Sequence, residues 1–396
     1  MESKEKPSKE LSRESLRLFW RHALHYPKEM TISLILIPLN VIALSTLVPW
    51  FTSSVLNNLA QKQHTHSTTS LIVGIILSSV IGVALNFYGY KYHFKHLTKT
   101  YAELTRTCFK ALTKRGESFY ANMFTGALTK YTIDLPNAYS SMETTLVINV
   151  IPFSTRVISG VVIVYIGGAP WLALLLLVSC LTVLAAVYRG RRKRQTLRDT
   201  RREAQTAINA HLADVITNNQ TMRTFAQWGS EEAENKHRIN TWAKLMNKDF
   251  AMINILSNQL IQVSLVLQVV FILIMVYSVH AGTVSIGVAI FCVTYLTRFA
   301  TELFGIGNMI NQIENALIDA APMTKILNEP AEVVDKKGAA KLVVKKGSID
   351  FINTDFAYED NADQSVLPGL NLNIKPGEKI GLVGPSGGGK STITKL

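Results

Sequence analysis

The chain has 396 residues, of which 48% are hydrophobic and 17% are charged, and its formal net charge is +13. This composition excludes a disordered chain, which needs low hydrophobicity and high charge, and it disfavours an ordinary soluble enzyme. Its three cysteines are too few for a disulfide framework, and the basic excess by itself indicates either nucleic acid or anionic lipid as a partner.

The first 28 residues are polar and rich in lysine and arginine, so no cleavable signal is predicted there. Six apolar stretches follow, and each approaches the roughly 20 residues that a helix needs to cross a bilayer. They are residues 31–59, 71–92, 147–166, 171–188, 253–279 and 284–306. We therefore predict an all-α membrane domain with six spans over residues 29–327, after a cytoplasmic N-terminal segment, residues 1–28.

Basic residues are distributed unequally between the connections. The three short connections contain only Lys62, whereas residues 91–130 and 188–248 are rich in lysine and arginine. By the positive-inside rule, both termini and both long arms are expected in the cytoplasm of a multi-pass protein of the cell membrane. The basic run 189–194 is interpreted as an anchor at the inner leaflet, so membrane lipid is the expected partner and no nucleic acid is required.

Both long arms keep a helical spacing of apolar residues and lack proline over residues 92–115 and 189–228. The helices are therefore expected to continue well beyond the membrane, about 65 Å for residues 71–115. Gly167 and Pro170 predict a break between two spans. Asp134 and Pro136 predict a helix start, with a cap and a proline in the first turn.

Three charged residues lie inside the predicted spans, where a charge is costly and often functional. Arg156 either reaches toward the inner interface or lines a transport path. Arg298 and Glu302 are four residues apart and are expected on one face of the last span, as a structural pair or as part of that path.

After residue 327 the pattern changes to a charged linker, residues 328–347, and then to strand-like segments at 348–356, 370–374 and 379–383. The last segment leads directly into a glycine-rich loop of the form G-x-x-x-x-G-K-[ST]. The loop and the next residue are Gly384, Pro385, Ser386, Gly387, Gly388, Gly389, Lys390, Ser391 and Thr392.

This loop is typical of a nucleotide phosphate site. Glycines let successive backbone N–H groups surround the β-phosphate without interference from a Cβ atom. Lys390 supplies positive charge to the β- and γ-phosphates, and the Ser391 hydroxyl is a ligand for Mg²⁺. The sequence therefore predicts ATP and Mg²⁺ as cofactors, in the N-terminal part of an α/β P-loop domain over residues 348–396.

Six spans joined to such a loop resemble an ATP-binding cassette (ABC) exporter, specifically a half-transporter with permease and ATPase in one chain. The resemblance implies ATP-driven export of a substrate that the sequence does not identify, and a second half-transporter chain, identical or different, as partner. It implies that Tyr358 stacks on adenine. It also implies that residues 119–126 and 211–234 are regions that contact ATPase domains.

The chain departs from that family after the loop, because it stops four residues beyond Thr392. The family's glutamine loop, signature loop, catalytic glutamate and switch histidine follow the phosphate loop and are not found here. We therefore expect an incomplete ATPase domain that binds nucleotide weakly and does not hydrolyse it, so no catalytic residue is assigned and enzyme activity is left open. The alternative is a non-catalytic membrane fragment that pairs with a full-length partner.

Overall fold

The computed structural model describes residues 9–61, 66–116, 119–120, 123, 125–167, 170–330, 338–341, 343–344, 347–357, 365–385 and 387–396. The chain forms two separate units, Met1–Val333 and Val334–Leu396. The first unit is built from helices, and the second contains a small sheet and a short helix.

The helices of the first unit are long, except for the N-terminal helix and a short helix between the two longest ones. They are α1 Lys9–Ala23, α2 Pro27–Ala60, α3 His66–Leu112, α4 Thr125–Ile166, α5 Pro170–Thr217, α6 Asn219–Thr224, α7 Trp228–His280 and α8 Ile286–Asn328. Helices α2 and α4 each contain a π-helical segment, Ile42–Leu47 and Thr145–Val150. A proline follows each segment within two residues and removes one backbone donor, which the wider π turn accommodates.

Among the described residues, α2, α3, α4, α5 and α7 are long and apolar enough to cross a membrane. The sixth predicted span lies in α8, a helix of 43 residues whose apolar stretch is Ile286–Leu296. The predicted fold class, a helical transmembrane domain followed by the start of an α/β domain, is confirmed.

The helical extensions beyond the apolar stretches are also confirmed. Helix α3 has 47 residues, α5 has 48 and α7 has 53, so at 1.5 Å per residue each is about 70–80 Å long, more than twice the hydrocarbon thickness. The break predicted between two spans is present as well, since α4 ends before Gly167 and α5 begins at Pro170.

The helix start predicted at Asp134 and Pro136 is wrong. Helix α4 begins at Thr125 and continues through Pro136. Proline inside a helix costs about 3 kcal/mol because it removes a hydrogen bond and crowds the preceding turn. Here the neighbouring residues Leu135 and Tyr139 are buried in the core, and their packing holds the helix through the proline.

Two clusters of buried side chains form the main cores of the helical unit. In one, α1, α3, α4 and α8 meet around Leu104 and Met323, and the rings of Phe19 and Tyr139 lie edge to face at 5.4 Å. In the other, the ring of Trp50 lies edge to face at 5.7 Å from Phe291 of α8. The first cluster lies in the helical extensions, so these too are packed and not isolated rods.

The second unit contains two antiparallel strands, β1 Ile349–Phe356 and β2 Leu367–Ile374, with Ile349 opposite Ile374, and the helix α9, Lys390–Lys395. The predicted third strand at 379–383 is not observed as a strand. A strand is defined by ladder hydrogen bonds to a neighbour, and the described part of this unit pairs only β1 with β2. Val383 is 97% exposed, which fits an unpaired segment.

The close contact of α4 with α8 generates a prediction about stability. A Cβ atom at Gly160 would overlap the ring of Tyr295, whereas one at Gly307 would meet no atom within 4 Å. We expect Gly160→Ala to destabilise the protein by about 1–3 kcal/mol, since the ring must move. Gly307→Ala should leave stability unchanged or slightly higher, because alanine favours helix.

The measurement is the thermal midpoint in detergent, followed with a thiol-reactive dye. Cys108, Cys180 and Cys292 are all buried, so the dye reports unfolding. Equal midpoints for the two variants would contradict the contact.

Candidate functional site

The glycine-rich loop between β2 and α9 contains two glycines in a backbone conformation that other residues rarely adopt. Gly387 and Gly389 have φ angles of +82° and +76°, in the left-handed region that favours glycine. The Gly388 N–H donates to the carbonyl of Pro385 at 3.2 Å and closes the turn. Helix α9 follows at once, with the Ile393 N–H donating to the carbonyl of Gly389 at 3.0 Å.

Lys390 folds back over this loop. Its Nζ donates to the carbonyl oxygens of Gly384 at 2.9 Å and Pro385 at 2.6 Å. The ammonium group therefore lies against the loop backbone, and its positive charge is next to the N–H groups of the turn. On α9, Ser391 is exposed and Thr392 is buried. Ser386 and Tyr358 lie outside the described residues.

The shape of the loop fits a nucleotide phosphate. No atom lies within 4 Å of where a Cβ would stand at Gly384 or Gly387, so the backbone there is open to a ligand. At Gly389 a Cβ would lie 2.8 Å from Leu367 Cδ2, so only glycine allows this approach of the loop to β2. Lys390 would balance phosphate charge, and the exposed Ser391 hydroxyl would hold Mg²⁺, which neutralises phosphate oxygens when bound.

In the helical unit, the charged residues predicted inside spans form a contact between helices. Arg156 Nε of α4 donates to Glu302 Oε2 of α8 at 2.8 Å. The hydroxyl of Tyr295 donates to the backbone carbonyl of Arg156. Arg156 thus pairs across helices and does not extend alone to the interface. Glu302 has this cross-helix partner, while the side chain of Arg298 lies outside the described part of α8.

The basic run of α5 continues as a row of arginines directed at neighbouring helices. Asp249 of α7 is fully buried, accepts a hydrogen bond from Arg194 Nη2 at 3.2 Å and forms an ion pair with Arg201 Nη1 at 3.1 Å. Arg191 pairs with Glu314 of α8 at 2.9 Å, and Arg198 Nη1 donates to Asn311 Oδ1 at 2.9 Å.

Part of the basic run 189–194, which is predicted to be an anchor at the inner leaflet, also joins helices to one another. Arg191 and Arg194 make ion pairs between helices, whereas Arg192 and Lys193 point to the surface. A cavity of about 420 Å³ lies between α5 and α8, lined by several of these basic side chains. The arginines seen on its wall are Arg191, Arg192, Arg198 and Arg202.

A buried polar cluster between α3 and α4 was missed from the sequence. His96 Nδ1 lies 2.8 Å from Glu143 Oε1, and its Nε2 lies 3.1 Å from the carbonyl of Ala23. With Glu143 ionised, both partners of His96 are acceptors, so both ring nitrogens carry protons. His93 Nδ1 is 3.4 Å from the same carboxylate. The sequence does place His93 and His96 on one face of α3. Their partners, however, come from distant parts of the chain and could not be identified from it.

Comparison with known families gives one match that covers most of the helical unit. The model of the ABC transporter transmembrane region matches residues 31–303. This region includes the six predicted spans apart from residues 304–306 of the last span.

Individual relatives agree with that match. An ATM1-type heavy metal exporter of Novosphingobium aromaticivorans is 28% identical over 74% of this chain and 48% of its own length. Human ATP-binding cassette sub-family B member 6 is 28% identical over 63% of this chain and 30% of its own length. The heavy metal tolerance protein of Schizosaccharomyces pombe is 30% identical over 46% of this chain and 22% of its own length. The chain therefore spans about half the length of these relatives or less.

Among solved structures, a bacterial Atm1-family ABC exporter with ATP bound has a similar fold. The TM-score is 0.68 at 21% identity, and the alignment covers 93% of this chain and 65% of the other. At this identity the likeness concerns the fold alone.

The pair between Arg156 and Glu302 gives a second prediction. Glu302→Gln leaves a guanidinium without its carboxylate in an apolar region, so we expect a loss of roughly 3 kcal/mol in stability. Exchange of the two residues, Arg156→Glu with Glu302→Arg, should recover part of this loss because the pair is restored in reverse. The measurement is the thermal midpoint of unfolding of each variant in detergent.

The matched control is Glu232→Gln, an equal change of charge at an exposed position of α7. If Glu302→Gln lowers the midpoint no more than this control does, the ion pair does not stabilise the helical unit.

Proposed function

The chain belongs to the ABC transporter transmembrane family, and from this premise we propose that it carries the membrane and phosphate-binding parts of an ATP-driven exporter. It is a multi-pass membrane protein with several long apolar helices. The observation that carries the proposal is the loop of residues 384–390 in the second unit. Its two left-handed glycines and the folded-back Lys390 support a phosphate site in the same chain as the membrane helices.

In this proposal the chain binds the nucleotide through contacts to its charged phosphates. We propose that the loop N–H groups and Lys390 hold the phosphates of ATP, that Ser391 holds Mg²⁺, and that Tyr358 stacks on adenine. These contacts act on bound nucleotide as much as on a transition state, so they supply affinity and not turnover. Groups that orient the attacking water in phosphoryl transfer would have to come from further sequence or from a partner chain.

The tips of the long helices fit a role in contacting ATPase domains. Helix α6, with six residues, connects α5 to α7 at the end of the second arm, and no residue of α6 is buried within the helical unit. This connection lies inside the predicted contact region, 211–234. The first predicted contact region, 119–126, is described only in part. We propose that the exposed surface of α6 rests on an ATPase domain and transmits its movement along α5 and α7.

A second half-transporter, identical or different, is the proposed partner. The chain resembles half-transporters, whose ATP sites form between two chains, and relatives that share this transmembrane region are longer than this chain. A facing chain would supply the surface that closes over the γ-phosphate.

The cargo is proposed only as a class. The cavity between α5 and α8 has four arginines on its wall against the two carboxylates Asp199 and Glu314, and this excess of positive charge favours cargo that carries negative charge. Two of the relatives are named for heavy metal export or tolerance, so metal-containing anionic compounds are the first cargo class to test.

Nucleotide binding by residues 1–396 tests the proposal. We expect Lys390→Ala to weaken binding of a fluorescent ATP analogue about tenfold or more, since a charged contact to phosphate is worth at least about 1.5 kcal/mol. The measurement is a fluorescence titration of purified chain with Mg²⁺.

The control is Lys379→Ala, the same change of charge at an exposed position before the loop. It should bind as the parent does. A parent chain that binds no nucleotide, or equal binding by parent and Lys390→Ala, would refute the phosphate site.

Membrane orientation is a further expectation, with both termini and both arms in the cytoplasm. Because the native cysteines are buried, single new cysteines can be labelled selectively. We expect an impermeant maleimide to label Gln61→Cys on intact cells and to label Ala233→Cys only after permeabilisation, as both positions are exposed on the protein. Labelling of Ala233→Cys on intact cells would reverse the topology.

A further inference from the structure

The buried imidazole of His96 joins three helices of the helical unit. It is 2% exposed and lies on α3, four residues beyond the apolar stretch 71–92. Its Nδ1 is 2.8 Å from Glu143 Oε1 of α4, and its Nε2 is 3.1 Å from the carbonyl oxygen of Ala23, the last residue of α1. One ring therefore connects the end of α1 and the extension of α4 to α3.

The number of protons on this ring decides whether both contacts are hydrogen bonds. A carboxylate and a backbone carbonyl can only accept, so both bonds form only when both ring nitrogens carry protons and the imidazole is a cation. A neutral imidazole has one N–H group, so one of the two acceptors would face a lone pair of the ring. Because an unsatisfied acceptor is costly in a buried site, loss of one proton weakens the connection of α3 to α1 or to α4.

The ionisable groups around the ring come from four helices. They are His22 of α1, Glu29 of α2, His93, Lys95 and Lys99 of α3, and Tyr139 and Glu143 of α4. Burial lowers the pKa of His22 and raises that of Tyr139, so both are neutral at physiological pH. Glu29 is paired with both lysines, at 2.6 Å from Lys99 Nζ and 3.7 Å from Lys95 Nζ. Helix α8 adds apolar side chains to the core beside Tyr139.

The two partners differ in how they respond to pH. Burial alone would raise the pKa of Glu143, but its contacts with His93, His96 and Tyr139 outweigh burial and lower that pKa, so the carboxylate stays ionised. Burial also disfavours a charge on His96, but the bonds to Glu143 and to the α1 carbonyl outweigh it and raise the pKa of His96. The doubly bonded ring is therefore complete below about pH 6.5, the ordinary pKa of histidine, and is lost as the pH rises through the raised value.

The position of Glu143 connects this ring to the movement of α4. Glu143 lies two residues before the π-helical segment Thr145–Val150, at which the helix widens and enters its membrane stretch. Such segments occur frequently at functional positions of helices. On the other side of Glu143, α4 extends back to Thr125, inside the predicted contact region 119–126. The bond to His96 thus holds the part of α4 that links this contact region to the membrane.

We propose that His96 is a proton-binding site that acts as a pH-sensitive latch between α1, α3 and α4. With the proton bound, the ring holds the end of α1 and the extension of α4 against α3. When the proton leaves, one acceptor loses its donor, and α1 and α4 move more freely relative to each other. The latch makes the link between region 119–126 and the membrane helices depend on the pH around the long arms. It does not depend on the proposed nucleotide site, so the two can fail separately.

The distance between α1 and α4 tests the latch. The 396-residue chain with Leu24→Cys and Ile133→Cys is spin-labelled at these two exposed positions in nanodiscs, while the buried native cysteines do not react. Double electron–electron resonance then gives the distribution of distances between the labels from about pH 5.5 to about pH 9.5. We expect a narrow distribution at low pH and one at least about twofold wider at high pH, with a midpoint above about pH 6.5.

Replacing His96 by glutamine tests whether this ring binds the proton. Glutamine takes up no proton in this range, so the width of the distribution should no longer change with pH. The matched control is His93→Gln, the same substitution one turn earlier on α3 at a position that is 0% exposed. Neither ring nitrogen of His93 has a hydrogen-bond partner among the described residues, so this variant should keep the transition.

A second variant keeps the test decisive if His96→Gln does not fold. Glu143→Gln has nearly the same shape as the parent but lacks the negative charge that holds the proton. We expect its transition to move to lower pH by about one unit or more, because the bond to the carboxylate is a main cause of the raised pKa of His96. Thermal midpoints verify that each variant is folded.

Three outcomes would overturn the proposal. A width that does not change with pH in the parent would mean that no proton controls these contacts. A transition that persists in His96→Gln, or disappears in His93→Gln, would place the proton on another group. An unchanged midpoint in Glu143→Gln would mean that the ion pair does not hold the proton.

Discussion

The structure of the helical unit depends on one constraint: in hydrocarbon, every backbone N–H and C=O group must find its partner inside the protein. Long α-helices satisfy this locally, which is why α2 to α5 and α7 are each continuous over 34 residues or more. The constraint also explains how proline is tolerated. Where Pro49 and Pro152 remove a donor, the chain widens into a π turn and does not open to lipid.

The same constraint governs polar side chains, which must be paired where water is absent. Arg156 with Glu302, and Asp249 with Arg194 and Arg201, each join helices that are distant in sequence. Such pairs contribute little net stability relative to apolar packing, but each is costly to break from one side. We infer that such pairs favour the helix arrangement in which both partners meet, because any other arrangement would leave a charge unpaired.

Features that depend on local sequence were predictable, and features that depend on long-range contacts were not. Hydropathy and loop length predict the spans and the long arms, because both follow from residues adjacent in the chain. The phosphate loop is predictable for the same reason, since its glycines act on their own backbone. The local preference of Pro136 for a helix start does not decide the structure, because core packing from other helices outweighs it. The partners of Arg156 and His96 could not be predicted from the sequence, because they lie 146 and 47 residues away along the chain.

The end of α8 is held to the end of α3 by a single side chain. Arg115, just beyond the end of α3, donates to the backbone carbonyls of Ile326, Glu329 and Pro330, with distances of 2.8 Å and 2.7 Å to the last two. Ile326 is one of the carbonyls that the last turn of a helix leaves without partners, whereas Glu329 and Pro330 lie just beyond the end of α8. A cation there also opposes the negative end of the helix dipole. The chain thus leaves the helical unit from a point fixed to α3. A displacement of the segment that follows α8 is then resisted by α3 and α8 together, because bending one would break hydrogen bonds to the other.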